Sequence, residues 1–168
     1  MIEILVQITA AMGITDFMNS AWGWPIVESL HFIGLSMLIG SVGVFDLRLL
    51  GVASSIDLAQ LHRLVPLGVA GYLLNVMTGF MFFTSAPDQY LYNPAFQLKL
   101  LFMVAAGLNM ISFYQTTGRA IHMETIPPHI RAANRNFAAV SLLCWAGVII
   151  CGRLITYYRP PYHWCPWC

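Results

Sequence analysis

The sequence predicts an all-α integral membrane protein, a four-helix bundle preceded by an N-terminal amphipathic helix lying in the membrane interface. Three observations carry this. Of 168 residues, 58% are hydrophobic and only 9% charged, against roughly 25% charged in ordinary soluble domains, and the mean hydropathy is +0.70. Four apolar stretches, 24–50, 64–85, 96–115 and 136–158, carry nearly all of the chain. Each reaches the ~20 residues that a helix rising about 1.5 Å per residue needs to cross a hydrocarbon core of about 30 Å. The prolines sort to the edges of these stretches. Pro87, Pro94, Pro127, Pro128, Pro160 and Pro161 fall in connections, and Pro66 stands in the first turn of the second stretch, where helical amides lack partners anyway. The connections leave no room for a soluble domain, so the chain divides into an interfacial helix (1–23), a bundle (24–158) and a cysteine-containing tail (159–168).

The first segment has acids at Glu3 and Asp16 and no basic region before its apolar part, which argues against a cleaved signal peptide. Ile2, Leu5, Ile8, Ala11 and Met12 recur at helical spacing, while Gly13, Asp16 and Asn19 interrupt any span. Trp22, Trp24 and Pro25 then turn the chain into the bilayer. Arg48 and Arg63 flank the connection between spans one and two, and Arg119, Arg131 and Arg135 that between spans three and four. The positive-inside rule makes that side cytoplasmic. Glu3, Asp16, Asp88 and the single base Arg159 lie opposite, so both termini are expected in the periplasm of a bacterial inner-membrane protein.

In that orientation His31, Lys99 and Arg153 share one depth in the outer leaflet, about one to two turns inside their spans. Glu28 stands one turn above His31, and Tyr157 one turn above Arg153. Ionisable groups inside a membrane are costly and mark polar sites. The alternative is a structural ion pair between Glu28 and Lys99 or Arg153, with the long cations reaching to the interface, and His31 by itself reads equally as a packing histidine. The neighbourhood favours a cofactor. Gly34, and further on Gly40 and Gly43, open the helix surface to a flat ring or to another helix. Haem needs an imidazole ligand, a gap for the porphyrin and cations near its propionates, and His31, Gly34, Lys99 and Arg153 supply that set. Only His163 is a further histidine on this side, which leaves five-coordinate haem, a non-histidine ligand or a ligand from another subunit. A quinone headgroup or an anion would use the same imidazole and cations without iron.

On the cytoplasmic side the run FDLRLLG places Asp46 and Arg48 at the end of span one, His62 and Arg63 open span two, and Arg119 with His122 closes span three. Asp46 is expected to pair with an arginine near a helix end, the surplus positive charge setting topology and meeting anionic lipid. His62, His122 and His129 lack the spacing that would make a metal site. Asn75, Thr78 and Asn109 read as interhelical hydrogen-bond glue. In the ending HWCPWC, a c-type haem attachment would need a histidine after Cys168, and the tail offers no thioredoxin-like fold. A disulfide between Cys165 and Cys168 is the favoured state, with a copper or zinc site built from His163 and both thiolates as the alternative. Cys144 and Cys151, two turns apart on one helix, are too distant to bridge.

The runs WPIVESLHFIGLSMLIGSVGVFDLRLLG, NPAFQLKLLFMVAAGLN and GVIICGRLITY together resemble a family of uncharacterised small bacterial membrane proteins, loosely similar to the CopD-type copper-resistance membrane domain. The resemblance covers most of 24–158 and implies recurring polar positions at His31, Asp46, Arg48, Lys99, Asn109 and Arg153, without implying an activity. Where such sequences often have a histidine near the end of span three, this one has Tyr114.

The expected function is an outer-leaflet redox site, b-type haem or quinone, passing electrons between a periplasmic redox partner and the membrane. His31 is the expected ligand, and Lys99, Arg153 and Tyr157 hold propionates or quinone oxygens. The rivals are a cofactor-free accessory subunit of a larger membrane complex or homo-oligomer, and copper handling by His163, Cys165, Cys168 and methionines. No catalytic triad, phosphate loop or paired carboxylates appear, and a net charge of +1 gives no reason to expect nucleic acid.

Overall fold

A computed structural model describes residues 2–52, 54–118, 121, 123 and 127–158, and every regular element among them is helical. The order is α1 (Ile2–Ala11), α2 (Ile14–Asn19), α3 (Gly23–Leu38), a π-helical turn (Ile39–Gly43), α4 (Val44–Leu50), α5 (Leu58–His62), α6 (Val65–Ser85), α7 (Pro87–Tyr90), α8 (Pro94–Thr116), α9 (Pro128–Leu154) and a 3-10 turn (Ile155–Tyr158). Four runs are long and apolar enough to cross a membrane, Gly23–Leu50, Leu58–Ser85, Pro94–Thr116 and Pro128–Tyr158. Large apolar side chains such as Leu73, Met77, Leu101, Leu108, Leu143 and Ile150 cover their outer surface, which suits lipid and not water. The protein is a multi-pass membrane protein.

The expected interfacial helix is two helices. Gly13 adopts φ 74° and separates α1 from α2, a left-handed conformation that side chains resist. Met18 of α2 is fully buried, and α2 packs on α6. The second and fourth spans begin earlier than their apolar stretches, at Leu58 and Pro128. Asp57 caps α5 by accepting from the Ala59 amide at 3.2 Å, and Pro128 opens α9 at its first positions, where a missing N–H costs nothing.

The helices pair into two hairpins, α3 along α6 and α8 along α9, and the hairpins meet chiefly where α4 crosses α9. Gly34 and Gly71 set the first pairing. A Cβ at Gly71 would lie 2.5 Å from the Gly34 carbonyl oxygen and 2.9 Å from the Leu38 nitrogen, so the two backbones touch directly, as small residues allow between membrane helices. The interior is layered along the bundle. Phe45, Leu49, Leu58, Leu61 and Phe113 pack at the arginine-rich end, Leu38, Cys144, Trp145 and Val148 in the middle, and Tyr90, Ala95 and Ile155 with Phe82, Phe83 and Phe96 at the opposite end. Cys144 and Cys151 are buried free thiols, as expected from their spacing.

Asn93 locks the end near His31. It is fully buried, and its side-chain oxygen accepts from the Ala95 and Phe96 amides at 3.1 and 3.3 Å, capping α8. Its amide nitrogen donates to the carbonyls of Gln89, Ile155 and Tyr158 at 3.2, 3.0 and 3.2 Å. One side chain thus ties α7, the start of α8 and the end of the fourth span.

Candidate functional site

His31 projects from α3 onto α6. Its Nδ1 lies 2.7 Å from Thr78 Oγ1, and Thr78 in turn donates to the Leu74 carbonyl at 2.7 Å. A hydroxyl has one proton, and two bare oxygens would repel at 2.7 Å, so Thr78 spends its proton on Leu74 and accepts from Nδ1–H of His31. The imidazole is therefore the tautomer whose Nε2 carries a free lone pair, the arrangement in which a fixed Nδ1–H orients a ligand nitrogen. Phe82 holds the ring edge-on at a centroid distance of 5.8 Å, and Phe82 stacks on Trp24 at 5.0 Å.

Lys99 comes from the other hairpin. Its ammonium lies within electrostatic range of His31 and reaches toward Gly152 on α9, 3.7 Å from where a Cβ would stand. Gly152 leaves the half-buried lysine room to bend inward. The aromatic layer of Phe82, Phe83 and Phe96 lies on one side of this pair, and the Trp145 layer on the other. His31 and Lys99 thus form a polar stratum between two apolar ones.

Arg153 and Tyr157 do not join them. Both are exposed, Tyr157 by 70%. The buried stripe of α9 runs through Cys144, Val148, Cys151 and Ile155, and Arg153, two residues past Cys151, points roughly 200° away from it at 3.6 residues per turn. Glu28 is also exposed and, among the described residues, makes no ion pair with Lys99 or Arg153. The gap at Gly34 is closed as well, because a Cβ there would meet the Gly71 oxygen at 2.8 Å and Asn75 Nδ2 at 2.6 Å. Helix α6 occupies the surface where a porphyrin was expected. The free Nε2 suits an axial ligand, but the α3–α6 seam offers no seat for a flat macrocycle beside Gly34.

At the arginine-rich end the expected pairing of Asp46 is overturned. Arg48 donates instead to the carbonyls of Ile56 and Ser54, at 2.6 and 3.0 Å, and so pins the connection between the first two spans. Asp46 is buried, at 5% exposure. Ser141 of α9 is its side-chain hydrogen-bond partner, and its Oδ2 has none. His62 Nε2 lies 2.9 Å from the Tyr114 hydroxyl, so Tyr114, near the end of the third span, is held by a histidine from α5. Of the expected glue, Asn109 bridges α8 to the Phe137 carbonyl of α9 at 2.9 Å and Thr78 bridges to α3, whereas Asn75 turns back on the Gly71 carbonyl of its own helix.

No group of three or more His, Cys, Asp or Glu side chains among the described residues could hold a metal ion. His122 and the tail residues His163, Cys165 and Cys168 lie outside the described residues.

A family of unknown function, DUF6644, matches residues 16–158, from α2 to the end of the fourth span. The chain belongs to DUF6644. The match covers both hairpins of this DUF6644 member and includes His31, Asp46 and Lys99. No curated protein and no solved structure matches the chain.

Proposed function

We propose that this DUF6644 protein holds the headgroup of a quinone-class lipid redox carrier in the outer leaflet, between His31 of one hairpin and Lys99 of the other. The observation that carries the reading is the His31–Thr78 bond, which leaves Nε2 as a fixed proton acceptor inside the bundle, within range of a lysine charge. The ammonium of Lys99 would donate to one ring oxygen, and Nε2 of His31 would accept from the hydroxyl that the other oxygen becomes in the reduced, quinol form. Bound there, the headgroup would bring its own redox chemistry, and the protein would supply an acceptor for one proton at His31 and a compensating charge at Lys99. The aromatic layer of Phe82, Phe83 and Phe96 shields the pair from the membrane surface. Haem held by His31 is the second reading, favoured by the same free nitrogen and opposed by the closed seam at Gly34.

The test is the quinone content of protein purified in mild detergent, with a visible spectrum of the dithionite-reduced sample alongside. Wild type is expected to retain quinone, and His31→Ala and Lys99→Gln each to lose most of it. A Soret band that disappears in His31→Ala replaces quinone with haem. Protein that carries neither, and that binds no added short-chain quinone, overturns the reading.

A further inference from the structure

A second polar feature lies in the opposite half of the bundle and is independent of His31. A cavity of about 150 Å³ opens between the two hairpins beside α4. Asp46, Asn109 and Ser141 enter its wall among aromatic side chains that include Phe45, Phe113 and Trp145. Asp46 is more than nine-tenths buried, and its Oδ2 lacks a partner.

A carboxyl in apolar surroundings is stable when it holds a proton or a cation. None of the described arginines is offered to it. Arg48 is spent on loop carbonyls, and Arg63, Arg131 and Arg135 are exposed. The Asn109 amide nitrogen donates one hydrogen to the Phe137 carbonyl, and its side-chain oxygen can accept. The cavity therefore has an acceptor pole and aromatic walls, and aromatic faces attract cations. Its volume matches the roughly 150 Å³ of an apolar protein cavity known to take up benzene. A hydrated metal ion would find too few oxygens here, whereas an ammonium with an apolar body satisfies both the carboxylate and the rings.

We propose that this cavity binds a small organic monocation, an alkyl- or arylammonium of about the bulk of benzene, with Asp46 as its counter-ion. The test is isothermal titration of the full chain in detergent with choline and with its uncharged isostere 3,3-dimethylbutan-1-ol. Choline is expected to bind at least tenfold more tightly than the alcohol. Asp46→Asn should remove that preference, Ser141→Ala should weaken choline a few-fold, and Arg131→Gln on the exposed surface should leave it intact. Equal affinity for the two probes in wild type, or an undiminished preference in Asp46→Asn, overturns the proposal. The wild-type comparison decides the matter even where the Asp46 variant fails to fold.

Discussion

The smallest unit of the proposed site is the pair His31 and Thr78. Replacing Thr78 by valine keeps the shape and removes the acceptor, leaving Nδ1–H buried without a partner, which costs about 1–3 kcal/mol. Thr78→Val is expected to melt several degrees lower in detergent and to retain only part of the bound quinone, because the imidazole is no longer held in one tautomer. Thermal melting and quinone extraction on the same sample check both. His31 and Lys99 were legible in the sequence because isolated ionisable groups in apolar runs stand out. Arg153 and Tyr157 stood out for the same reason, but depth says nothing about which way a side chain points. The stripe of Cys144, Val148, Cys151 and Ile155 carries that information, and it excludes Arg153 from the interior. Asp46 was misjudged because several arginines near the helix ends offered obvious partners, and the pull of the Ile56 and Ser54 carbonyls on Arg48 has no mark in the sequence.

At the scale of elements, contact between glycine backbones and one asparagine cap join helices at two places. Gly71→Ala puts a methyl against the Gly34 oxygen and Leu38 nitrogen, and overpacking of this kind costs about 1–3 kcal/mol. Gly107→Ala, with nothing within 4 Å of the added carbon, should melt like wild type, and the contrast between the two melting curves tests the α3–α6 seam. Asn93→Ala removes a helix cap worth about 1 kcal/mol and orphans buried carbonyls at a further 1–3 kcal/mol or so. It should destabilise more than Gln97→Ala, whose side chain serves one exposed carbonyl, in a denaturation series. The four spans were legible because length and hydropathy determine them, whereas their early starts at Leu58 and Pro128 depend on caps and polar helical turns outside the apolar runs. The π-helical turn Ile39–Gly43 left no periodic signal. On an unbroken helix Asp46 would stand roughly 80° round from Leu38, and the wider turn takes back part of that rotation, bringing the carboxyl toward Ser141 of α9. Deleting Gly40, where an added Cβ would meet nothing within 4 Å, should restore α-helical winding and abolish the choline preference while the His31 site is unaffected.

For the whole molecule, the arginines predict which end faces the cytoplasm. Reporter fusions at Arg131 should be active as cytoplasmic fusions and those at Asp88 as periplasmic ones, and the reverse pattern would move the His31 site to the inner leaflet without dispersing it. The four spans make this DUF6644 member a multi-pass membrane protein. The division into two hairpins bears on how the chain is made. Each hairpin pairs helices adjacent in sequence, so α3 and α6 have their full mutual contact while α8 and α9 are still being synthesised. The pairing of α8 with α9 and the crossing of α4 with α9 must wait for the last span. The first half therefore leaves the ribosome already able to shelter His31 against Thr78 and Phe82, but Asp46 enters the bilayer before its Ser141 partner exists. For that interval the carboxyl must remain protonated or stay at the lipid headgroups, and the arrival of α9 is what draws it into the interior. Two separately expressed halves, joined at neither end, should consequently insert on their own and associate through the α4–α9 crossing and through ring contacts such as Phe83 with Phe96 and Tyr72 with Trp145.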